Sequence, residues 1–379
     1  MLAPFSLDTY LPSFPSIAAD LGATPQEMQR TLSDYLWTFG AMMLVYGPLS
    51  DALGRRRVVL VALLGYALAS LGCALADDVD TLVLMRAAQG LAAGAGLVIG
   101  RALVRDVFEG AQAQRVTADV MLFFAIAPAI APLVGGWLDS AFGWRAVFLF
   151  LAAMGLLIFA LVAAWMPETL PQNQRQPIHP VSVARAYGGM FSNLSFMLLA
   201  LMFGINFGGL FIYIASAPEL IYVHLGYGAH DFWRMFVPVV LGIVVGSFLA
   251  GRLAHRLTSR QGVTFGFVLM AVAALLNVAL THLPTPTAVM LIAPVALYAT
   301  GMAFAMPGLS LLGLDMYPAR RGMASAVQGF IQMVSNGLLA AFVVTLLAAS
   351  VQWLAWGQLA IALSALVLWG AWIGLFRRA

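Results

Sequence analysis

The stretch Gly47-Pro48-Leu49-Ser50-Asp51-Ala52-Leu53-Gly54-Arg55-Arg56-Arg57 lies between two long apolar runs, residues 30–49 and 58–76. It sets one carboxylate among three arginines and spaces it between glycines. That composition suits a tight turn at a membrane surface, where the glycines permit close approach and the arginines stay in the aqueous phase. A generic charged loop would need the arginines but not the Gly, Asp and Gly spacing. The runs on either side are close to the ~20 apolar residues that a helix needs to cross a bilayer.

Working outward, the same pattern recurs along all 379 residues, of which 62% are hydrophobic and only 9% charged. Soluble domains carry ~25% charged residues. A mean hydropathy of +0.92 cannot be hidden in one soluble core, so disordered, collagen-like, disulfide-scaffold and soluble-enzyme readings are excluded. Twelve apolar runs emerge, at 2–19, 30–49, 58–76, 81–103, 117–138 and 144–166, then 193–216, 232–251, 262–282, 287–311, 322–348 and 353–376. The first of these carries Pro4, Pro12 and Pro15 and is barely long enough to cross. It has no positive n-region or small-residue cleavage site, which argues against a signal peptide and suggests that the numbering begins part-way into the helix.

Charge sorts with these spans. All 19 basic residues are arginine, and with alternating loops fifteen fall on one side and three (Arg30, Arg145 and Arg234) on the other, with Arg86 inside span 4. The excess marks the cytoplasmic side and places both termini there. The net charge of +3 therefore reads as membrane topology, and no nucleic-acid partner is expected. The segment 167–192, with Pro167, Pro171, Pro177 and Pro180 among glutamines and an asparagine, has linker composition. It divides the chain into residues 1–166, the linker 167–192 and residues 193–379. Two six-span halves with a site between them is a transporter plan.

Several polar positions stand out within the spans. Asp8 of the Asp8-Thr9-Tyr10-Leu11-Pro12 run and Asp34 of Asp34-Tyr35 are acids in apolar surroundings. Such a carboxylate can trade a proton with solvent or a nearby cation. Arg86 opens Arg86-Ala87-Ala88-Gln89-Gly90 in span 4; buried in a membrane it costs at least ~2.5 kcal/mol and requires a partner or a wet cavity. One carboxylate is expected to pair with Arg86, while Arg30 lies one turn from Asp34. The Gly90–Gly94 and Gly96–Gly100 spacings suit close helix packing. Span 5 contains Pro128, Pro132, Gly135 and Gly136, a composition for a bent, thin helix. Asn206, Phe207, Tyr213, Gln328, Gln332 and Asn336 supply polar and aromatic groups to the second half, and Tyr10, Tyr35, Trp37 and Gln89 to the first. Each is a candidate for lining a cavity or for joining helices. The lone Cys73 cannot form an internal disulfide, and the five histidines show no metal-ligand spacing. No Gly-Lys-Ser/Thr phosphate loop is present, so neither ATP nor any other cofactor is expected.

Taken together, these motifs resemble the major facilitator superfamily, and the resemblance runs nearly end to end. The 47–57 stretch resembles its signature loop, which implies that Asp51 and Arg55 form a charge relay with Asp106 at the end of helix 4. Gly47, Gly54 and Arg56 belong to the same gate, and the relay latches the two bundles in the outward-facing state. Arg86-x-x-Gln89-Gly90 resembles the helix-4 motif tied to proton coupling. Pro128-x-x-x-Pro132-x-x-Gly135-Gly136 resembles the antiporter motif, with Ala127 and Ala131 standing where that motif has glycine. The Asp8-x-Tyr10-Leu11-Pro12 run, Gly143-Trp144-Arg145, Pro167-Glu168-Thr169 and Gly322-Met323-Ala324-Ser325-Ala326 resemble the bicyclomycin/chloramphenicol-resistance (Bcr/CflA) branch of drug/proton antiporters. The resemblance implies an all-α fold of twelve transmembrane helices in two pseudo-symmetric six-helix bundles. It also implies a monomer of the bacterial inner membrane, both termini cytoplasmic, that exports hydrophobic antibiotics such as phenicols or bicyclomycin-like compounds in exchange for protons by alternating access. Asp8, Asp34 and Arg86 would carry the coupling. Two other readings remain open. A proton-coupled uptake symporter would share the fold but lack the span-5 motif. An intramembrane enzyme would need a paired acid–base or metal constellation, and none is visible.

Overall fold

The computed structural model describes residues 2–108, 110–175 and 179–376. Arg377 and Arg378 of the charge count, and Gln176 and Pro177 of the linker, lie outside the described residues. Among those described the secondary structure is helical throughout, with no strand. The chain forms α1 (Leu2–Asp8), α2 (Phe14–Leu21), α3 (Pro25–Leu53), α4 (Arg55–Ala74), α5 (Val79–Val107), α6 (Gly110–Phe142), α7 (Trp144–Trp165) and α8 (Pro180–Phe191). These are followed by α9 (Leu194–Ala215), α10 (Trp233–Leu253), α11 (Ser259–Thr281), α12 (Ala288–Asp315), α13 (Arg321–Leu338), α14 (Thr345–Leu347) and α15 (Val351–Leu375). Two π-helical turns, Glu219–His224 and Leu339–Val344, extend α9 and link α13 to α14.

The chain divides into two compact units, residues 1–187 and 188–379. The division falls within α8, a helix inside the segment read as a linker. In the first unit, spans 2 and 4 (α3 and α5), 3 and 6 (α4 and α7), and 3 and 4 (α4 and α5) pack most closely. In the second unit the pairings are 8 with 10 (α10 and α12), 9 with 12 (α11 and α15) and 9 with 10 (α11 and α12). Span 1 packs on span 5 as span 7 packs on span 11. The two halves are therefore built to one plan: an all-α fold of twelve transmembrane helices in two pseudo-symmetric six-helix bundles.

Nine of the helices among the described residues are long and apolar enough to cross a membrane by themselves. Spans 1 and 2 have physical reasons for falling short. Span 1 is broken between Asp8 and Phe14, where a 3-10 turn, Leu11–Ser13, carries Pro12. Proline lacks the N–H that would continue the ladder. Span 2, α3, has Glu27 and Arg30 near its start and Asp51 at its end. Of span 5, the stretch Ile126–Phe142 qualifies as a shorter apolar helix.

The 47–57 stretch is more helical than its glycines suggest. α3 continues through Pro48 to Leu53, α4 starts at Arg55, and the turn is Gly54 alone, with φ +96°. That backbone region is costly for any residue with a Cβ. A Cβ on Gly47 would meet nothing within 4 Å, so close approach is not what this glycine permits. Helix continuation through Pro48 deprives the Leu44 carbonyl of its i+4 N–H donor. The Tyr187 hydroxyl of α8 donates to that carbonyl at 2.9 Å, which satisfies a group that would otherwise be orphaned in an apolar environment.

In the second unit, a neutral network ties three spans. The Asn277 amide donates to the Tyr213 hydroxyl at 2.6 Å and to Gln358 Oε1 at 2.8 Å, and Gln358 Nε2 donates to the Gly209 carbonyl at 3.2 Å. All three side chains are buried. Asn277→Leu would leave two buried polar groups unpaired at about 1–3 kcal/mol each. The expected result is a fall of several degrees in the heat-unfolding midpoint of the detergent-purified protein; an unchanged midpoint would exclude the network as a structural tie.

Candidate functional site

Two constellations in the first unit bring the predicted residues together. The deeper one centres on Arg86, which is fully buried and so does not snorkel to the surface. Its guanidinium lies 4.2 Å from the Tyr10 ring centre and 4.4 Å from that of Tyr35, giving favourable cation–π contacts. Nη1 donates to the Ser6 carbonyl at 3.1 Å and to Gln89 Oε1, and Nε donates to the Thr31 carbonyl at 3.4 Å. Gln89 Nε2 donates to Ser70 Oγ at 2.7 Å, Ser70 Oγ donates to the Tyr66 carbonyl at 2.7 Å, and Tyr66 Oη meets Ser6 Oγ. A closed hydrogen-bonded circuit thus joins spans 1, 3 and 4, with Thr31 bringing in span 2. Among the described residues, Arg86 Nη2 is buried without a hydrogen-bond partner.

The acids are placed differently from the expected pairing. Among the described residues Arg86 makes no ion pair: its partners are carbonyls, an amide and two aromatic faces. The sequence names the charges but not the backbone carbonyls that neutral acceptors supply. Asp8, 5% exposed, is the last residue of α1, beside the break in span 1. Asp34 is partly buried, and Ser33 Oγ donates to it at 3.4 Å. Arg30 makes its ion pair with Asp80, at 3.7 Å on an exposed surface. Trp37, also partly buried, has its indole N–H without a partner among the described residues.

The span-5 motif bears on the same break. α6 runs without interruption through Pro128 and Pro132. At Gly135, a Cβ would fall inside the van der Waals shell of the Thr9 carbonyl oxygen, the residue next to Asp8. On span 4, Gly90 presses on the Tyr35 carbonyl and the Thr38 hydroxyl, and Gly94 lies close to the Phe39 carbonyl. A Cβ on Gly96 or Gly100 would meet nothing within 4 Å among the described residues. Of the two glycine pairs, the first is the one that packs closely among the described residues, because spans 2 and 4 converge there.

The second constellation is the turn between α3 and α4. Arg55 binds Asp51 at 2.5 Å and, through Nε, Asp106 Oδ2 at 3.2 Å; its Nη1 also donates to Ser50 Oγ at 2.7 Å. Asp51, Arg55 and Asp106 therefore meet as the motif predicts. Arg56 donates to the Ala163 carbonyl at the end of α7, at 2.8 Å. Sequence reasoning missed three members. Glu168 Oε1 accepts the Arg55 backbone N–H at 2.9 Å, Thr169 Oγ1 donates to Asp106 Oδ2 at 3.2 Å, and Arg175 lies 3.6 Å from Glu168 Oε2. The signal for Glu168 and Thr169 is the Pro167-Glu168-Thr169 run, a likeness that carries no role by itself; Arg175 enters the sequence only as one of the loop arginines.

Asp51 is about half exposed (47%), so its pair with Arg55 adds little to stability. Its role would lie in the balance between conformations, where 1.4 kcal/mol is a factor of ten. Asp51→Asn is expected to lower transport about tenfold while accumulation and thermal stability stay near wild type. Wild-type transport rates in that variant would remove the relay from the mechanism.

The candidates in the second unit are mostly packed between helices. Asn206 donates to the Met302 carbonyl at 3.2 Å and Gln328 to the Leu309 carbonyl at 3.5 Å, while Gln332 and Asn336 are buried on the same face of α13. Tyr213 belongs to the Asn277 network, and Phe207 is partly buried with its ring 6.2 Å from that of Phe211. Among the described residues, no three His, Cys, Asp or Glu side chains are grouped to hold a metal ion.

Comparisons with known proteins agree with this architecture. Residues 1–340 match the family model described as Major Facilitator Superfamily. The chain is 33% identical to an uncharacterized MFS-type transporter, YdgK, of Bacillus subtilis (strain 168), over 90% of this chain and 86% of the relative. It is 32% identical to a chloramphenicol resistance protein of Pseudomonas aeruginosa, over 93% of this chain and 83% of the relative. Among solved structures, a D-xylose–proton symporter superposes with a TM-score of 0.75 over 97% of this chain and 94% of its own, at 15% identity, which speaks for the fold alone. A multi-pass membrane protein with these signature residues and relatives belongs to the major facilitator superfamily of transporters.

Proposed function

We propose that this protein exports small hydrophobic drugs, phenicol-like antibiotics among them, across the bacterial cytoplasmic membrane in exchange for protons. It works as a monomer, with both termini cytoplasmic and no cofactor. The observation that carries this reading is the contact of Gly135 with Thr9. The glycine-bearing helix of span 5 rests on the backbone of span 1 at its break, beside the buried acid Asp8. A movement of span 5 that accompanies a change of access would shift the surroundings of that acid, and so link protonation to conformation. The chloramphenicol-resistance relative supports the substrate class. The arginine excess on one set of loops supports the orientation.

The test is transport in inverted membrane vesicles. Added drug should collapse an established proton gradient, and cells carrying the protein should tolerate more chloramphenicol than cells without it. A protonophore should abolish that tolerance. Substrate taken up into cells with protons, rather than against them, would replace export by the uptake reading.

A further inference from the structure

Glu168 has no role in the motif read from the sequence, yet it occupies the entrance to α4. The N-terminus of that helix has Gly54 as its capping residue, and glycine offers no side chain to accept the first free N–H groups. Glu168 Oε1 accepts the Arg55 N–H at 2.9 Å, so the cap comes from a residue 113 positions away. The same oxygen accepts the Leu170 N–H at 3.1 Å. The other oxygen faces Arg175, 3.6 Å away, and Arg175 Nε donates to the Leu170 carbonyl at 3.4 Å. Residues 168–175 are thereby folded into a clip whose acidic end sits on a helix N-terminus, where negative charge is favoured.

The placement is tight and specific. A Cβ on Gly54 would collide with the Glu168 carboxylate and lie 2.8 Å from Arg175 Nη2, so the absence of a side chain at the turn is what admits the clip. The neighbouring Thr169 hydroxyl reaches the same oxygen of Asp106 that Arg55 Nε reaches, both at 3.2 Å. Two consecutive residues after span 6 therefore hold both ends of the Arg55 relay: one fixes its backbone, the other its acid partner.

We propose that Glu168 is a positioning residue for the Asp51–Arg55–Asp106 relay and that the segment 168–175 sets how readily that relay opens. This rests on the reading of the relay as a gate, but the clip itself can be tested without it. The experiment uses the full chain purified in detergent and, in parallel, reconstituted in vesicles. In detergent, trypsin cleavage after Arg175 is compared with cleavage after the exposed Arg185, which the clip does not hold. Glu168→Ala should raise the Arg175 to Arg185 cleavage ratio about tenfold. Glu168→Gln should raise it similarly, because it loses the ion pair.

In vesicles the two variants should separate. Glu168→Gln keeps an oxygen for the Arg55 N–H and should lower kcat about twofold. Glu168→Ala loses the cap and should lower kcat about tenfold with KM unchanged. Glu168→Ala combined with Asp106→Asn should be no slower than Asp106→Asn alone, since both act through Arg55. Wild-type kcat in Glu168→Ala, or losses that multiply in the double variant, would overturn the proposal. If Glu168→Ala does not accumulate, Glu168→Gln decides: rapid cleavage with kcat largely kept supports the clip, and an unchanged cleavage ratio overturns it. Should the wild type move no drug against a proton gradient, the export reading fails, while the cleavage ratio still decides the clip.

Discussion

Gly135→Leu is expected to block drug export or to make it proton-leaky, while the protein still inserts and accumulates. The expectation rests on a backbone contact, which no rotamer change can relieve. The Thr9 carbonyl oxygen occupies the space that a Cβ at position 135 would need. Even Gly135→Ala must push span 1 and span 5 apart, and overpacking of this kind costs about 1–3 kcal/mol where neighbours can yield. Leucine adds a branched side chain to a place where the neighbour is main chain. The displacement falls beside Asp8, so the variant should be defective in transport, in proton tightness or in both. Gly96→Ala on span 4 is the matched control, because among the described residues a Cβ there meets nothing within 4 Å. Both are measured as drug efflux and as passive proton leak in vesicles. Normal, proton-tight export by Gly135→Leu would make span 5 an ordinary structural helix.

The parts of this molecule visible in the sequence were those written in composition and spacing. Spans, the six-plus-six division and the meeting of Asp51, Arg55 and Asp106 all follow from apolar run length, the proline-rich segment after span 6 and a short charged motif. What stayed hidden depends on contacts distant in the chain. Nothing local marks Ser6, Tyr66 and Ser70 as partners in the circuit around Arg86, since serines and tyrosines occur in many spans. Glu168 as the cap of α4 and Tyr187 as the donor to the carbonyl that Pro48 deprives are equally invisible. Both are single polar residues whose importance is set by an orphaned backbone group more than a hundred residues away. Arg30 shows the same limit: helical spacing marks Asp34 as its neighbour but gives no sign of Asp80, 3.7 Å away across the helix pair.

Asp8→Asn is expected to stop pH-driven export altogether, and here the distribution of charge is most restrictive. An isolated charge within a bilayer costs several kcal/mol, and among the described residues of this bundle the buried cation Arg86 lies in span 4 with the acids Asp8 and Asp34 in spans 1 and 2. Arg86 is accommodated without a carboxylate, by two carbonyls, Gln89 and the faces of Tyr10 and Tyr35. That leaves neither acid committed to an ion pair with it. Asp34 is only partly buried and already accepts from Ser33. Asp8 is more deeply buried and has no ion pair among the described residues, and it sits where span 1 is interrupted, the kind of site at which discontinuous helices bind coupling ions. The assignment to Asp8 therefore stands on burial and position. Asparagine keeps the shape and cannot exchange a proton, so Asp8→Asn should bind drug with an affinity within about threefold of wild type, less than 1 kcal/mol. It should release no protons when drug is added to the purified protein in weakly buffered detergent. By reciprocal linkage, a wild-type protein in which drug displaces a proton must also bind drug more weakly at low pH, and the variant should lose that dependence. Asp34→Asn should retain both behaviours. Proton release by Asp8→Asn at the wild-type level, with loss in Asp34→Asn, would transfer the coupling role to Asp34.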